Sequence, residues 1–337
     1  MIMSLRPDPR EQTVWPGSRP SLCGLLKWMA SDTYHWLGDG YGPHSPPPGE
    51  ETFTDVHVRH LRQAMGSRVK VIQFNKEQES FNGADWELWI HNRSHGLGFR
   101  IQAKRESKEG QYGFRYWLKE RDAFQCDLLI HDALVAGCIP VYLLYNHEAW
   151  AIRKDAAQML CGHTAPDLSH YGCSLLSAHH VQAQLFGQAL GVSRWISHVQ
   201  LREMSAPWNQ VLCDLKGKSG ARGPRGTGML KAIQRRAEGM ERSGWATLQS
   251  VDRGDFASPS HACGGTPEVS VGSWLGDATD GEVREPVLRA LPERVLGLLE
   301  ADPLRPPEQP IPTRVVVLYD VTDGEETVNH LVGCVRC

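Results

Sequence analysis

The chain has no long uninterrupted apolar run, no closely spaced cysteine framework, no internal repeat and no marked excess of charge of either sign. Each absence excludes something. Without an apolar run of roughly 18 residues or more there is no candidate membrane helix, so no membrane partner is expected. The nine cysteines are scattered, which fits a reducing cytoplasm better than a disulfide-stapled secreted domain. The only close pair, Cys334 and Cys337, lacks the two further ligands of a structural zinc site. The opening residues carry prolines and charges where a signal peptide needs an apolar stretch, so a soluble cytoplasmic protein is expected. A net charge of −3 argues against a protein that coats nucleic acid, and any nucleic-acid site must be a local basic patch.

What is present is enough apolar material for a real core, 41% of 337 residues. Residues 1–50 read as a loose polar arm followed by a helix from Ser21, in which Leu22, Leu25, Leu26, Met29, Trp36 and Leu37 recur at helical spacing. Residues 51–213 read as a mixed α/β core. A helix begins near Thr52–Thr54, with one of those threonines as cap, and Gly66 closes it. Strands follow at 69–74, 84–90 and 98–104, then a long helix over 116–136 ended by Gly137, and an almost wholly apolar strand at 139–145. A short strand at 173–176, a helix over 178–190 and a small element from Pro207 complete this part. Residues 214–285 change character. The segment 214–242 holds eight Lys or Arg against three acids, and 244–285 is rich in Gly, Ser, Asp and Pro. Their composition predicts a basic, then Gly/Ser-rich linker, largely disordered. Residues 286–337 contain a helix over 287–299 and a strong strand, Arg314–Tyr319, able to return to the core sheet.

The chemistry concentrates between Glu77 and Lys104. Side chains two apart on a strand share a face, so Asp85 and Glu87 project together from one strand, and Arg100, Gln102 and Lys104 from the next. Phe99, Ile101 and Ala103 alternate with the latter. Trp86 and Trp89 are expected on opposite sides of the sheet. Two acids, an amide oxygen and a lysine on one face suit a divalent cation beside a phosphodiester.

The order helix, strand, strand, strand, helix, strand over residues 52–145, with Asp85 opening one strand and Gln102-x-Lys104 ending the next, resembles the PD-(D/E)XK nuclease superfamily. It resembles the Mrr-like branch, where Gln replaces the usual acid before x-Lys. Gly83-Ala-Asp-Trp-Glu and Gln102-Ala-Lys-Arg also look like the signature of an uncharacterised bacterial family suspected of nuclease activity. The resemblance implies a restriction-endonuclease-like αβββαβ core with a mixed central sheet flanked by helices, plus a C-terminal extension. It further implies a Mg²⁺- or Mn²⁺-dependent nuclease acting on DNA, with RNA as a second possibility, a role in defence against foreign DNA and a possible homodimer.

In that reading Asp85, Gln102 and the main-chain carbonyl of Ala103 hold the metal, and Lys104 orients the attacking water or stabilises charge on the phosphate. Gln102 lowers the site's negative charge, so a further acid is expected. Glu87 and Glu79 are the first candidates, with Glu51 or Asp55 on the preceding helix behind them. Gln125 on the long helix can reach the same site. Arg100, Arg105, Lys108 and Arg121 form the expected phosphate-tracking edge, with Tyr116 beside it. The alternative is a catalytically silent module of the same fold that binds nucleic acid or a protein.

Other signals carry less. Gly217-Lys218-Ser219 resembles the end of a phosphate-binding loop, but that motif needs Gly at position 212, which is Leu. Cys161, His163, Cys173, His179 and His180 do not fall into zinc-ligand spacings.

Overall fold

The computed structural model describes residues 20–40, 46–73, 84–147, 167–187, 195–197, 201, 204–216, 221–222, 226–248, 287–302 and 313–322. Its centre is an eight-stranded mixed sheet. In chain order its strands are β1 (Val69–Gln73), β2 (Trp86–His91), β3 (His95–Arg105), β4 (Cys138–Tyr145), β5 (Cys173–Ser177), β6 (Ser205–Pro207), β7 (Arg289–Ala290) and β8 (Val315–Asp320). In space they run β1-β8-β2-β3-β4-β5-β6, with β7 pairing the first residues of β3. β2 and β3 are antiparallel, with Glu87 opposite Arg100 and Trp86 opposite Ile101. β3 and β4 are parallel, and β4, β5 and β6 are antiparallel in turn.

The longer helices are α1 (Leu22–Gly40), α2 (Glu50–Met65), α3 (Gln125–Ala136), α4 (Ala178–Gly187), α5 (Thr227–Leu248) and α6 (Glu293–Glu300). Strand alternation divides them between the two faces of the sheet. Trp86, Leu88, Phe99, Ile101, Val141, Leu143 and Val317 form one core with Leu25 and Met29 of α1, Phe53 and Leu61 of α2, and Leu230 and Ile233 of α5. On the other face Trp89, Val316 and Leu318 pack with Val295 and Leu298 of α6, while Tyr142 and Leu144 pack with Leu129 of α3 and Val181 of α4. Trp86 and Trp89 therefore do lie on opposite sides.

The C-terminal strand enters the sheet in its interior. β8 lies between β1 and β2, antiparallel to the first and parallel to the second, so β1 and β2 are not neighbours. Five successive residues, Val315 to Tyr319, are buried, as a strand covered on both faces requires. The strand at 314–319, expected to return to the core sheet, thus enters it between two strands that are successive in sequence.

Three local expectations are corrected. The helix expected over 116–136 is formed only from Gln125 onward. Before it, Trp117–Leu118 and Ala123–Phe124 pair as a small hairpin, turned through a short 3₁₀ segment and by Asp122 at φ 48°. Helix α2 begins at Glu50 with Gly49 as its cap, so neither threonine caps it. The Thr54 hydroxyl instead donates to the Glu50 carbonyl at 3.1 Å. The linker expected over 214–285 contains α5. Met229, Leu230, Ile233, Ala237 and Met240 of this helix are buried at helical spacing, a stripe that the basic composition masked. Residues 249–286 lie outside the described residues.

Distant residues fasten the ends. The Asp214 carboxylate accepts the Leu22 and Cys23 N–H groups at 2.8 and 2.9 Å, placing a negative charge on the N-terminus of α1. The chain at Gly172 passes so close to α1 that a Cβ there would lie 2.0 Å from the Ala30 carbonyl oxygen. Both positive-φ glycines expected as helix ends are found, Gly66 at 57° and Gly137 at 73°. Among the described residues no helix is long and apolar enough to cross a membrane.

Candidate functional site

Asp85 sits in the bend before β2, where its N–H donates to the Ile101 carbonyl at 2.9 Å and holds it against β3. Its Oδ2 accepts two further bonds, from the Ala103 N–H at 2.7 Å and from Gln102 Nε2 at 2.7 Å. Gln102 Nε2 also reaches the Ala103 carbonyl at 3.2 Å. Gln125, the first residue of α3, donates Nε2 to Gln102 Oε1 at 3.2 Å and accepts from Lys104 Nζ at 2.9 Å. Strand alternation and the start of α3 thus bring Asp85, Gln102, Lys104 and Gln125 into one hydrogen-bonded row.

The row has a direction. A charged Lys104 can only donate, so it takes the oxygen of Gln125. That leaves the Gln125 NH₂ group toward Gln102, whose oxygen must face it, and the Gln102 NH₂ group toward the Asp85 carboxylate. Gln102 therefore presents N–H, not oxygen, to Asp85. Turning its amide toward a cation at Asp85 requires rearrangement of Gln125 and Lys104 as well.

Burial pushes the Asp85 carboxyl up to about 6, with Glu50 adding to the rise. The Ala103 N–H, the Lys104 ammonium and the Gln102 amide oppose it. Glu50 was not among the acids singled out from the sequence. It opens α2, and its Oε1 accepts the Arg105 N–H at 2.9 Å, one residue beyond Lys104. The Arg105 guanidinium donates to the Pro47 and Pro48 carbonyls at 3.2 and 3.0 Å, fixing the entry to α2 beside the end of β3. The available signal was an acid on the helix before β1, a signal that Glu51 and Asp55 carried as well. In the fold both of those pair instead with Arg314.

Glu87 shares the face of Asp85, but it does not join the row. It is 0% exposed and bonded to Arg100 at 2.9 Å, to Arg294 of α6 at 2.9 Å and to Trp89 Nε1 at 3.0 Å. The antiparallel register sets it opposite Arg100, beneath α6. Arg100 is likewise 0% exposed and lies 3.9 Å from Asp132, so it cannot touch a phosphate, which corrects its expected place on the basic edge. Arg105 is half-buried and held by proline carbonyls, whereas Lys108 and Arg121 are exposed. Glu79, Cys161 and His163 lie outside the described residues.

Asp85 and Glu50 each have one carboxylate oxygen that accepts no hydrogen bond from the described residues. These oxygens and the Ala103 carbonyl are the mixed set that could hold a hard, partly hydrated cation beside Asp85. Among the described residues no group of three or more His, Cys, Asp or Glu could hold a metal ion, so any cation here depends on this mixed set. No curated protein matches the chain in sequence. Residues 22–323, from α1 to just beyond β8, match the family of unknown function DUF6615, and the chain belongs to that family.

Proposed function

We propose that this protein is a metal-dependent nuclease that hydrolyses phosphodiester bonds in DNA on a restriction-endonuclease-like core. The observation that carries the proposal is the convergence of Asp85, Gln102 and Lys104 from the adjacent ends of β2 and β3, with Glu50 close enough to raise the Asp85 pKa. The element order α2-β1-β2-β3-α3-β4, with β4 parallel to β3, supports the fold reading. The insertion of β8 between β1 and β2 is a departure from a simple core of that kind.

Asp85 and Glu50 would hold the cation, with the Ala103 carbonyl and, after rotation of its amide, Gln102. A bound Mg²⁺ or Mn²⁺ would supply a polarised phosphate and a water of lowered pKa. Lys104 would place its ammonium against a non-bridging phosphate oxygen and stabilise the charge that grows there. Gln125 would hold Lys104 in position until the phosphate arrives. Burial makes ionisation of Asp85 costly, and a bound cation would offset that cost.

The test is incubation of the purified full chain with plasmid and Mg²⁺ or Mn²⁺, beside Asp85→Ala and Lys104→Ala. Cleavage by the parent alone is expected, and equal cleavage by all three proteins would refute the assignment. One observation favours a catalytically silent binding module instead: a neutral amide, turned N–H first, stands at position 102. Calorimetry separates the readings, since the module would show no Mn²⁺ binding dependent on Asp85.

A further inference from the structure

The hairpin that replaces the first part of the expected helix carries an unusual surface. Tyr116 is 56% exposed and Trp117 44% exposed, whereas Trp86, Trp89, Trp208, Tyr112, Tyr142 and Tyr145 are fully buried. Their exposure is not looseness. The Trp117 ring meets the Phe124 ring edge-on, with centroids 4.8 Å apart at 79°, and the Arg115 guanidinium lies 5.8 Å from the centre of the Phe124 ring. The hairpin pairing fixes the backbone beneath them.

Two further observations give this surface a partner. Arg115, Lys119 and Arg121 are exposed on the same stretch, and these cations outnumber its two acids, Glu120 and Asp122. The hairpin also abuts the candidate site directly. The Tyr116 carbonyl accepts the Gln125 N–H at 2.9 Å, and Gln125 in turn holds Lys104.

We infer that Tyr116, which lies beside Gln125, forms a stacking platform for an unpaired base of a strand whose phosphate lies at Lys104, which makes the substrate single-stranded or locally unpaired DNA. The inference rests on the nuclease reading for the position of that phosphate. Within an intact duplex the base faces are covered by neighbouring pairs, and exposed aromatic planes gain nothing from them. Unpaired bases offer a free face to an aromatic ring, while cations follow the backbone.

Binding without metal tests the platform apart from catalysis. Fluorescence anisotropy in EDTA would compare the full-length protein on a labelled oligothymidine, an abasic strand of equal length and a duplex of equal length. Oligothymidine should bind most tightly. Tyr116→Ala should weaken it roughly 5- to 100-fold, the range of one aromatic–base stack, with little change on the abasic strand. Tyr116→Phe, which keeps the ring, should restore binding. Equal affinity for thymidine and abasic strands overturns the inference, as it would if the hairpin docks a protein. So does an unchanged Tyr116→Ala, a loss that phenylalanine does not repair, or a parent that binds no strand. Cleavage by Lys104→Ala bears on the nuclease reading alone, so the two can fail separately.

Discussion

Replacing Asp85 by Asn should make the metal-free protein more stable while destroying its proposed activity. The Asp85 carboxyl is raised from an ordinary 3.8 to about 6, chiefly by burial. Such a group binds its proton more tightly folded than unfolded. Its contribution to stability is therefore fully present below about pH 4 and is lost as the pH rises through about 6. At about 1.4 kcal/mol per pH unit, the ionised carboxylate costs the folded state about 3 kcal/mol at pH 8. Asparagine keeps an oxygen for the Ala103 and Gln102 donors and removes the charge. Urea unfolding in EDTA at pH 8 should then show Asp85→Asn more stable than the parent by about 1–3 kcal/mol, with the gap closing by pH 4. Saturating Mn²⁺ should stabilise the parent and leave the variant unmoved. A variant less stable than the parent at both pH values, or a gap independent of pH, would refute the reasoning.

The other predictions concern what surrounds the carboxylate. Gln125→Leu removes the N–H that fixes the sense of the Gln102 amide, a bond worth about 1 kcal/mol, so Mn²⁺ affinity by calorimetry should rise about fivefold. A fall would show that Gln125 serves the cation directly. Glu87→Gln leaves Arg100 and Arg294 facing a neutral group in the interior and should cost about 3–5 kcal/mol in urea unfolding. A loss below about 1 kcal/mol would mean that the pair is not closed to water. Gly172→Ala forces a Cβ against the Ala30 carbonyl and should cost about 3 kcal/mol or more, read as a lowered urea midpoint.

Much of the candidate site was legible because it depends on local rules. The alternation of Arg100, Gln102 and Lys104 against Phe99, Ile101 and Ala103 is a property of any strand, and it put the polar set on one face before any partner was known. Misreadings came where an outcome depends on something distant. Glu87 looked a fair candidate for the further acid until the register set it opposite Arg100 and α6 brought Arg294 over it. Glu50 was passed over for its neighbours Glu51 and Asp55, and only the end of β3, with the Arg105 N–H, distinguishes it. The basic composition of 214–242 concealed a helix whose apolar stripe becomes meaningful only against the sheet.

By itself the sequence determined the periodic elements, the apolar strands that must be covered on both faces, and the facing of Asp85, Gln102 and Lys104. These follow from chain geometry and side-chain size over a few residues. Only the tertiary structure decided that β8 separates β1 from β2, that Glu87 is ion-paired with Arg100 and Arg294, and that Glu50 comes close enough to raise the Asp85 carboxyl. The same holds for the Lys104–Gln125–Gln102–Asp85 row. A strand's pattern does not specify which strand it pairs with, and a carboxylate's type does not specify whether the nearest charge in space is a cation or a second acid.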